Sequence, residues 1–208
     1  MRVAGLRATQ KLDRDRRILD AATALFRNRG YEATHIEQIA EMAGLSVGTL
    51  YNYYKNKGDL LVAIVSVEVH DVLAAGQVLV ATPPADAAVA LDALVAIYYD
   101  HSLYYMDKAM WRHAVAMTVQ QAHTPSAQIY MALDLALVAQ VTALIRQMQL
   151  RALIRADVAA DPLGAMVFNN LDRMFLTYIR DDTMTLADLK SAVSAQHAVI
   201  ARGLAIQG

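Results

Sequence analysis

Cysteine is absent from this chain of 208 residues, and tryptophan and proline are scarce, with one and four copies. Without cysteine the chain has no disulfide framework, no cysteine-ligated zinc finger and no thiol nucleophile. Four prolines and nine glycines also leave few points at which a helix has to end. Strand-like alternation persists nowhere, and no internal repeat is visible. Together with the succession of helical segments along the chain, these absences predict an all-α protein of about nine helices.

The familiar motifs of catalysis, metal binding and secretion are missing as well. The sequence contains no H-E-x-x-H, G-x-S-x-G, phosphate-binding loop or dinucleotide glycine fingerprint, so we expect no enzyme activity and no cofactor. Asp100, His101 and His113 could form a metal site, but satisfied or exposed histidines are far more common, and we predict no metal. The first ten residues lack an apolar signal core, and charges interrupt the apolar stretches. We therefore expect a cytoplasmic protein without a membrane span.

Charge is distributed unevenly along a chain whose net charge is only −1. Residues 1–60 contain ten Lys and Arg against seven Asp and Glu, a balance of +3, whereas residues 61–208 contain nine against thirteen, a balance of −4. A positive N-terminal part is typical of a domain that meets nucleic acid. Its basic N-terminal arm could follow a phosphate backbone or be an ordinary disordered tail; the basic residues are Arg2, Arg7, Lys11 and Arg14.

Two helical stripes precede a glycine turn in this N-terminal part. Between Arg14 and Arg29 the apolar residues recur at helical spacing, and Gly30 can end that helix: Ile18, Ala21, Ala22, Leu25 and Phe26. A second helix begins at Thr34 or His35 and is marked by Ile36, Ile39, Ala40 and Ala43. Gly44 then turns the chain. Two short helices joined by such a turn and packed on a longer one predict a helix-turn-helix domain.

A third, short helix follows the turn and carries the residues that would read DNA. Ser46 can cap its N-terminus, while Leu50 and Tyr54 should face the two supporting helices. The remaining groups suit phosphate oxygens and base edges: Val47, Gly48, Thr49, Tyr51, Asn52 and Tyr53. Lys57 adds charge where the next helix begins. The tyrosines could instead pack against neighbouring helices, which we favour for Tyr54 alone.

The segment from about Arg14 to Leu61 resembles the DNA-binding domain of the tetracycline-repressor (TetR) family. The residues in register with the family pattern are Thr34, Ile39, Ala40, Ala43, Gly44, Ser46, Gly48, Thr49, Leu50, Tyr51, Tyr53, Lys57 and Leu60. Leu45 and Tyr54 replace the common valine and phenylalanine, and His35 stands where threonine or serine is usual. The resemblance implies DNA contacts by Thr49, Tyr51, Tyr53 and Lys57, with Val47 and Gly48 against base edges. It also implies a helix-turn-helix domain over residues 1–56 and a helical ligand-binding and dimerisation domain over residues 57–208.

The C-terminal part contains helical segments separated by a few breaks. We expect helices from Leu60 to about Val80, Asp86 to Met106, Asp107 to Gln121 and Pro125 to about Ala156, with a helix start at Asp161-Pro162. The last two helices carry long apolar stripes, one from Leu163 to Ile179 and one from Leu186 to Leu204. These stripes could pack with a second copy into a four-helix bundle or face the core of their own subunit. Proteins of the resembled family usually form homodimers through these helices.

The segment from Ile97 to Met117 concentrates aromatic rings, methionines and histidines. Such side chains could line a cavity for a mostly apolar small molecule, although aromatic core packing is the more common role of each residue alone. Our candidate effector residues are Tyr98, His101, Tyr105, Trp111, His113 and Met117, with Asn169 and Asp172 as orienting polar groups. The family resemblance favours the cavity for the segment as a whole.

These features predict a ligand-responsive transcriptional regulator. We expect a homodimeric repressor that binds a palindromic operator in double-stranded DNA and is released by a small, largely apolar or aromatic effector. The alternative is a helical small-molecule sensor or assembly module without specific DNA binding. Steep weakening of DNA binding with salt would distinguish the two.

Overall fold

The computed structural model describes residues 2–206, with side chains from residue 9 onward, and in this range the chain folds entirely into helices and connecting loops. The nine helices are α1 (Arg2–Arg29), α2 (Ile36–Met42), α3 (Val47–Tyr51), α4 (Lys57–Ala81), α5 (Ala87–His101), α6 (Lys108–Gln120), α7 (Pro125–Leu150), α8 (Ala160–Arg180) and α9 (Leu186–Leu204). No strand occurs among the described residues. The predicted all-α class with about nine helices is confirmed.

The chain divides into two compact units, each assembled from two stretches of sequence. Unit 1 contains Met1–Ser66 and Tyr105–Tyr130, and unit 2 contains Val67–Tyr104 and Met131–Gly208. Helices α4 and α7 each contribute residues to both units. The expected functional division into residues 1–56 and 57–208 stays a prediction. The compact units differ from it in placing α6 and the start of α7 with the N-terminal helices.

In unit 1 the apolar stripe of α1 forms the core that supports the helix-turn-helix. Ile18, Ala22 and Phe26 are completely buried. Gly30 has φ +84°, a left-handed conformation that favours glycine, and its N–H donates to Phe26 O at 2.9 Å, which ends the helix. The N-terminus differs from the flexible arm that we expected, because α1 extends back to Arg2. The side chains of Arg2 and Arg7 lie outside the described residues.

Side-chain caps fix several helix starts where the sequence predicts them. Asp86 accepts from Val89 N at 2.9 Å, and Asp107 accepts from Met110 N at 2.8 Å. Several predicted bounds are wrong. Helix α4 begins at Lys57 and not at Leu60, and α5 ends at His101 and not at Met106. Helix α7 ends at Leu150 because Ala152 takes φ +53°, and α8 begins at Ala160, which leaves Pro162 inside its first turn.

In unit 2 the stripes of α8 and α9 mostly face their own core. Val167, Leu171, Leu189 and Val193 are buried, and α9 packs closely along α5. This is the second of the two arrangements that the sequence left open. The large apolar residues of α8 and α9 that remain exposed are Met166, which belongs to the predicted α8 stripe, and Val199.

Two helices are so apolar that they contradict the sequence argument that charges interrupt the apolar stretches. By length and composition alone α4 and α7 could cross a membrane, with mean hydropathies of 1.5 and 1.6 over their most apolar stretches. Charges therefore do not interrupt every apolar run. In α4 much of this surface is core, including Leu60, Leu61 and Ile64. The absence of a membrane partner stays a prediction.

Candidate DNA interface and effector-binding residues

The turn between α2 and α3 is held by contacts both within it and from α1. Gly44 has φ +65°, and the following N–H of Leu45 donates to Ala40 O at 2.9 Å. Arg17 on α1 donates its guanidinium to the carbonyl oxygens of Ala43 and Gly44. A side chain on residue 44 would collide with that guanidinium. The geometry of the turn is thus fixed by a residue 27 positions earlier in the chain.

Helix α3 is short, and its N-terminal cap compensates for its length. Ser46 Oγ accepts the N–H of Thr49 at 3.2 Å and lies 2.8 Å from Thr49 Oγ1. The hydroxyl of Thr49, a predicted DNA contact, therefore shares a hydrogen bond with the cap. Leu50 is fully buried against the supporting helices, as predicted.

The predicted DNA contacts differ in how far they reach into solvent. Gly48, Tyr51 and Asn52 are exposed, with Tyr51 48% accessible, whereas Val47, Thr49 and Tyr53 are half-buried. A Cβ at Gly48 would touch nothing. Tyr54 does pack inward: its hydroxyl donates to Asp15 Oδ1 at 2.7 Å, and burial with this bond raises its pKa. The geometry leaves an open face centred on Gly48, Tyr51 and Asn52.

Lys57 is engaged inside unit 1. Its Nζ donates to Tyr31 O at 2.8 Å and to Glu32 O at 3.2 Å, and it lies 4.7 Å from the centre of the Tyr31 ring. An ammonium has three N–H donors, so one remains for a phosphate, and the proposed contact stays a prediction. Lys55, two residues earlier, is exposed.

Helix α6 packs against the start of α4. The ring of His113 lies 4.7 Å from that of Tyr31, and its Nδ1 lies 3.5 Å from Glu32 Oε1. Met117 occupies the space in front of Gly58 that a larger residue would need. An open cavity of about 800 Å³ lies here, lined by Tyr31, Glu32, Ile36, Tyr51, Lys55, Asn56, Lys57, Gly58, His113, Ala116, Met117, Gln120 and Gln121.

The eight candidate effector residues are divided between the units. Tyr105, Trp111, His113 and Met117 lie in unit 1, and Tyr98, His101, Asn169 and Asp172 lie in unit 2. Trp111 is a buried core residue, whereas His113 and Met117 line the cavity just described. Tyr98 donates to Gln140 Oε1 at 2.7 Å, and Gln140 in turn donates to Leu73 O at 2.7 Å. Asn169 and Asp172 are exposed.

Acidic groups in unit 2 have strongly raised pKa values. Burial raises the pKa of Glu68 to about 7, although His101, whose Nδ1 lies 2.9 Å from Glu68 Oε1, opposes the increase. Burial and the nearby charge of Asp172 raise the pKa of Asp134 to about 7. Among the described residues no three acidic or histidine side chains are grouped closely enough to hold a metal ion.

Sequence reasoning missed four residues that shape these sites. Arg17 and Lys55 carry no signal beyond a positive charge, and Tyr31 lies in a loop outside every stripe. Glu68 carried a usable signal. It interrupts a run of apolar residues on α4 at a helical position that is otherwise buried, between Val65 and Val72.

Similarity in sequence to known proteins is concentrated in the N-terminal part of the chain. The family model described as bacterial regulatory proteins, tetR family, matches residues 18–64. The KstR transcriptional repressor of Rhodococcus jostii is 43% identical over 63 residues, 30% of each chain. The aligned part thus spans less than a third of the length of such curated relatives.

Solved structures share the fold over nearly the whole chain. FadR of Thermus thermophilus, a TetR-family repressor in complex with lauroyl-CoA, aligns with a TM-score of 0.65 and 22% identity over 93% of this chain and 96% of its own. PfmR of the same organism aligns with a TM-score of 0.60 and 22% identity over 92% and 99%. At such identities the likeness establishes the fold. Residues 18–64 therefore match the tetR family of bacterial regulatory proteins, and the chain as a whole shares the fold of solved structures described as members of that family.

Proposed function

We propose that the protein is a ligand-responsive DNA-binding regulator of transcription, acting as a repressor on a palindromic operator. The observation that carries this proposal is the exposed face of Gly48, Tyr51 and Asn52 on a helix whose cap and preceding turn are rigidly held. An open glycine allows close approach of a groove edge, and the tyrosine and amide supply polar groups for phosphate and base edges.

The proposed repressor acts as a homodimer. Two copies related by a two-fold axis would present their α3 helices to successive major grooves about 34 Å apart, which matches a palindromic operator. The outer faces of α8 and α9, with exposed Met166 and Val199, are the surfaces that we assign to the dimer contact. Binding to chromosomal DNA implies a cytoplasmic location.

The effector acts by favouring a conformation in which the α3 helices no longer match the operator. We assign its site to unit 2, which contains the candidate effector residues Tyr98 and His101. FadR of Thermus thermophilus, which shares the fold, was solved in complex with lauroyl-CoA. Helix α4 runs without interruption from the end of the headpiece into unit 2 and can carry the change. By linkage, operator DNA must weaken effector binding by the same factor.

Selection of bound sequences from random duplex DNA tests the function directly. We expect a symmetric motif, with affinity that falls steeply as salt rises because phosphate contacts dominate. A matched pair of variants then tests the interface. Tyr51→Phe should weaken binding to the selected site by about tenfold or less, the value of one hydrogen bond, at unchanged stability. Tyr54→Phe should leave the affinity unchanged and cost about 1 kcal/mol of folding free energy. Absence of any selected motif at low salt would favour the sensor without DNA binding.

A further inference from the structure

Glu68 is a buried acid in an apolar stretch of α4. Its residue surface is only 2% accessible, and its neighbours one turn away, Val65 and Val72, are buried. Both carboxylate oxygens are buried, and neither has a hydrogen-bond partner among the described residues. His101 contacts this carboxyl group: its Nδ1 lies 2.9 Å from Oε1, which is an ion pair only when the imidazole is protonated.

An unsatisfied buried carboxylate is energetically costly. Leaving one such group without a donor costs about 1–3 kcal/mol and more when it is charged, so folded proteins normally supply a partner or use the site. The contact with His101 addresses one oxygen and leaves Oε2 without a donor among the described residues. A bound molecule with an N–H or O–H group would remove this cost.

The charges of unit 2 favour a cation at this position. Every described lysine and arginine of unit 2 is exposed except Lys190, which is half-buried and paired with Asp100 on the surface. No lysine or arginine side chain is therefore buried in the described part of this unit, and the buried His197 is paired with Asp92, whereas Glu68 is buried and Asp134 partly so. An anionic headgroup would find no buried lysine or arginine there.

His101 and Tyr104 connect Glu68 with the surface. The His101 side chain is partly accessible, and its ring lies 5.2 Å from that of Tyr104, which is largely exposed. An aromatic face at this position also attracts a cation. A molecule could thus approach along Tyr104 and place its polar end at Glu68.

We propose that Glu68 is the polar anchor of the effector site and that the effector is an amphiphile with an ammonium group on an apolar body. The inference rests on the proposed function, because it names the effector class of that regulator. It separates this chain from an acyl-CoA sensor, whose ligand is anionic.

Three probes with one alkyl chain test the inference: decylamine, decanol and decanoate, titrated into the full-length protein by calorimetry. We expect decylamine to bind at least about tenfold more tightly than decanol, and decanoate to bind most weakly, since a desolvated charge pair exceeds a neutral hydrogen bond. Glu68→Gln should lower the decylamine affinity about tenfold or more and leave decanol within about threefold. Asp161→Asn removes an exposed carboxylate elsewhere in unit 2 and should change neither affinity more than about threefold.

The pH dependence of binding supplies a second readout. Because Glu68 ionises with a pKa of about 7, decylamine affinity should rise on going from about pH 6 to about pH 8. His101 and Asp71 also act on this carboxylate, so the Glu68→Gln variant, in which the rise should vanish, is the control.

Equal binding of the three probes, tightest binding of decanoate, no binding of any probe, or an unchanged decylamine affinity in Glu68→Gln would each overturn the inference. Operator selection without any probe keeps the two proposals separate. A wild-type protein that selects a DNA motif but ignores decylamine retains the proposed function and loses the cationic effector. A protein that binds decylamine through Glu68 but selects no DNA motif retains the cationic ligand site and loses the proposed function as a DNA-binding regulator.

Discussion

Among single residues, Gly48 offers the sharpest separation of folding from DNA recognition. It lies within α3, and a methyl group on its Cα would meet no atom of the protein. Gly48→Ala should therefore fold at least as well as the wild type, with a gain of up to about 1 kcal/mol from helix propensity. Its operator affinity should fall by about tenfold or more, because the added methyl group separates the backbone from the groove, a loss of about 1.4 kcal/mol or more.

Gly203 supplies the matched control for that substitution. It lies near the end of α9, and a Cβ there would also meet nothing. Gly203→Ala should likewise gain up to about 1 kcal/mol of stability from helix propensity but leave the operator affinity unchanged. Chemical denaturation and fluorescence anisotropy with labelled operator measure both quantities. Full operator affinity in Gly48→Ala would remove this residue from the proposed interface.

Glu68 predicts an unusual dependence of stability on pH. Its pKa is raised in the folded state from 4.5 to about 7, so folding favours the protonated acid. The contribution of Glu68 to folding stability is fully present below about pH 4.5 and is lost as pH rises through about 7. Glu68→Gln should therefore increase the free energy of unfolding by about 1–3 kcal/mol at pH 8 and by much less at pH 5. Equal effects at both pH values, measured by urea denaturation, would contradict a buried titrating carboxylate.

At the scale of helices, two aspartates of α5 bind side chains of α9, and their expected contributions to folding stability differ. Asp92 binds buried His197 Nδ1 and Ser194 Oγ, both at 2.6 Å, while Asp100 pairs with Lys190 at the surface. Burial lowers the pKa of His197, so at neutral pH its ring is uncharged and donates one N–H to Asp92. Removing Asp92 leaves a buried donor unpaired, whereas removing Asp100 only frees an exposed ammonium.

Asp92→Ala should accordingly destabilise the protein by about 2–3 kcal/mol. Asp100→Ala, on the same helix and against the same partner, should cost less than about 1 kcal/mol. Thermal or urea denaturation near pH 8 compares the two variants. Equal losses would mean that the hydrogen bonds to Asp92 contribute no more than a surface ion pair.

The features of helices that the sequence predicts correctly are those determined by residues close together in the chain. The stripe of α1, the glycine end at Gly30 and the Ser46 cap depend on residues within a turn or two, and the structure confirms them. The predicted ends of helices are wrong where contacts with residues distant in sequence determine where the helix stops. Helix α7, for instance, stops at Leu150 although its apolar composition continues to Ile154, which is buried beyond the turn.

Contacts between distant residues explain why the candidate sites were only partly foreseen. The bonds of Arg17 to the turn at Ala43 and of Lys57 to Tyr31 each span 26 residues, and composition gives no sign of either. The aromatic segment from Ile97 to Met117 looks continuous in sequence, yet its residues are divided between two compact units. Residue types suggested a ligand site, but only three-dimensional pairing identified Glu68.

At the scale of the whole molecule, the proposed homodimer is testable through surface residues. Met166 on α8 and Val199 on α9 are 69% and 61% accessible, which is costly for large apolar side chains unless a partner covers them. Met166→Lys combined with Val199→Lys should weaken dimerisation by at least about tenfold, since buried unpaired ammonium groups oppose association. Operator affinity should fall with it, because one α3 helix reads only half of a palindrome.

Val78→Lys is the control for that double substitution, as Val78 is at least as exposed as Met166 and Val199 but lies on α4. Sedimentation over a range of concentrations should show a monomer for the double variant and a dimer for both the control and the wild type. A dimer that survives both lysines must use another surface.

The interleaved chain of unit 1 has a consequence for protein synthesis. The N-terminal stretch of unit 1 packs on Met117 and His113 through Gly58 and Tyr31. These partners are translated only after the first stretch of unit 2, Val67–Tyr104, has been made. A nascent polypeptide that has emerged only as far as Ser66 exposes the apolar side of Tyr31 and the flank of Gly58. Chaperones should therefore bind the emerging chain until about residue 130 has been made. A fragment of residues 1–66 expressed alone should fold poorly, aggregate and bind no operator DNA.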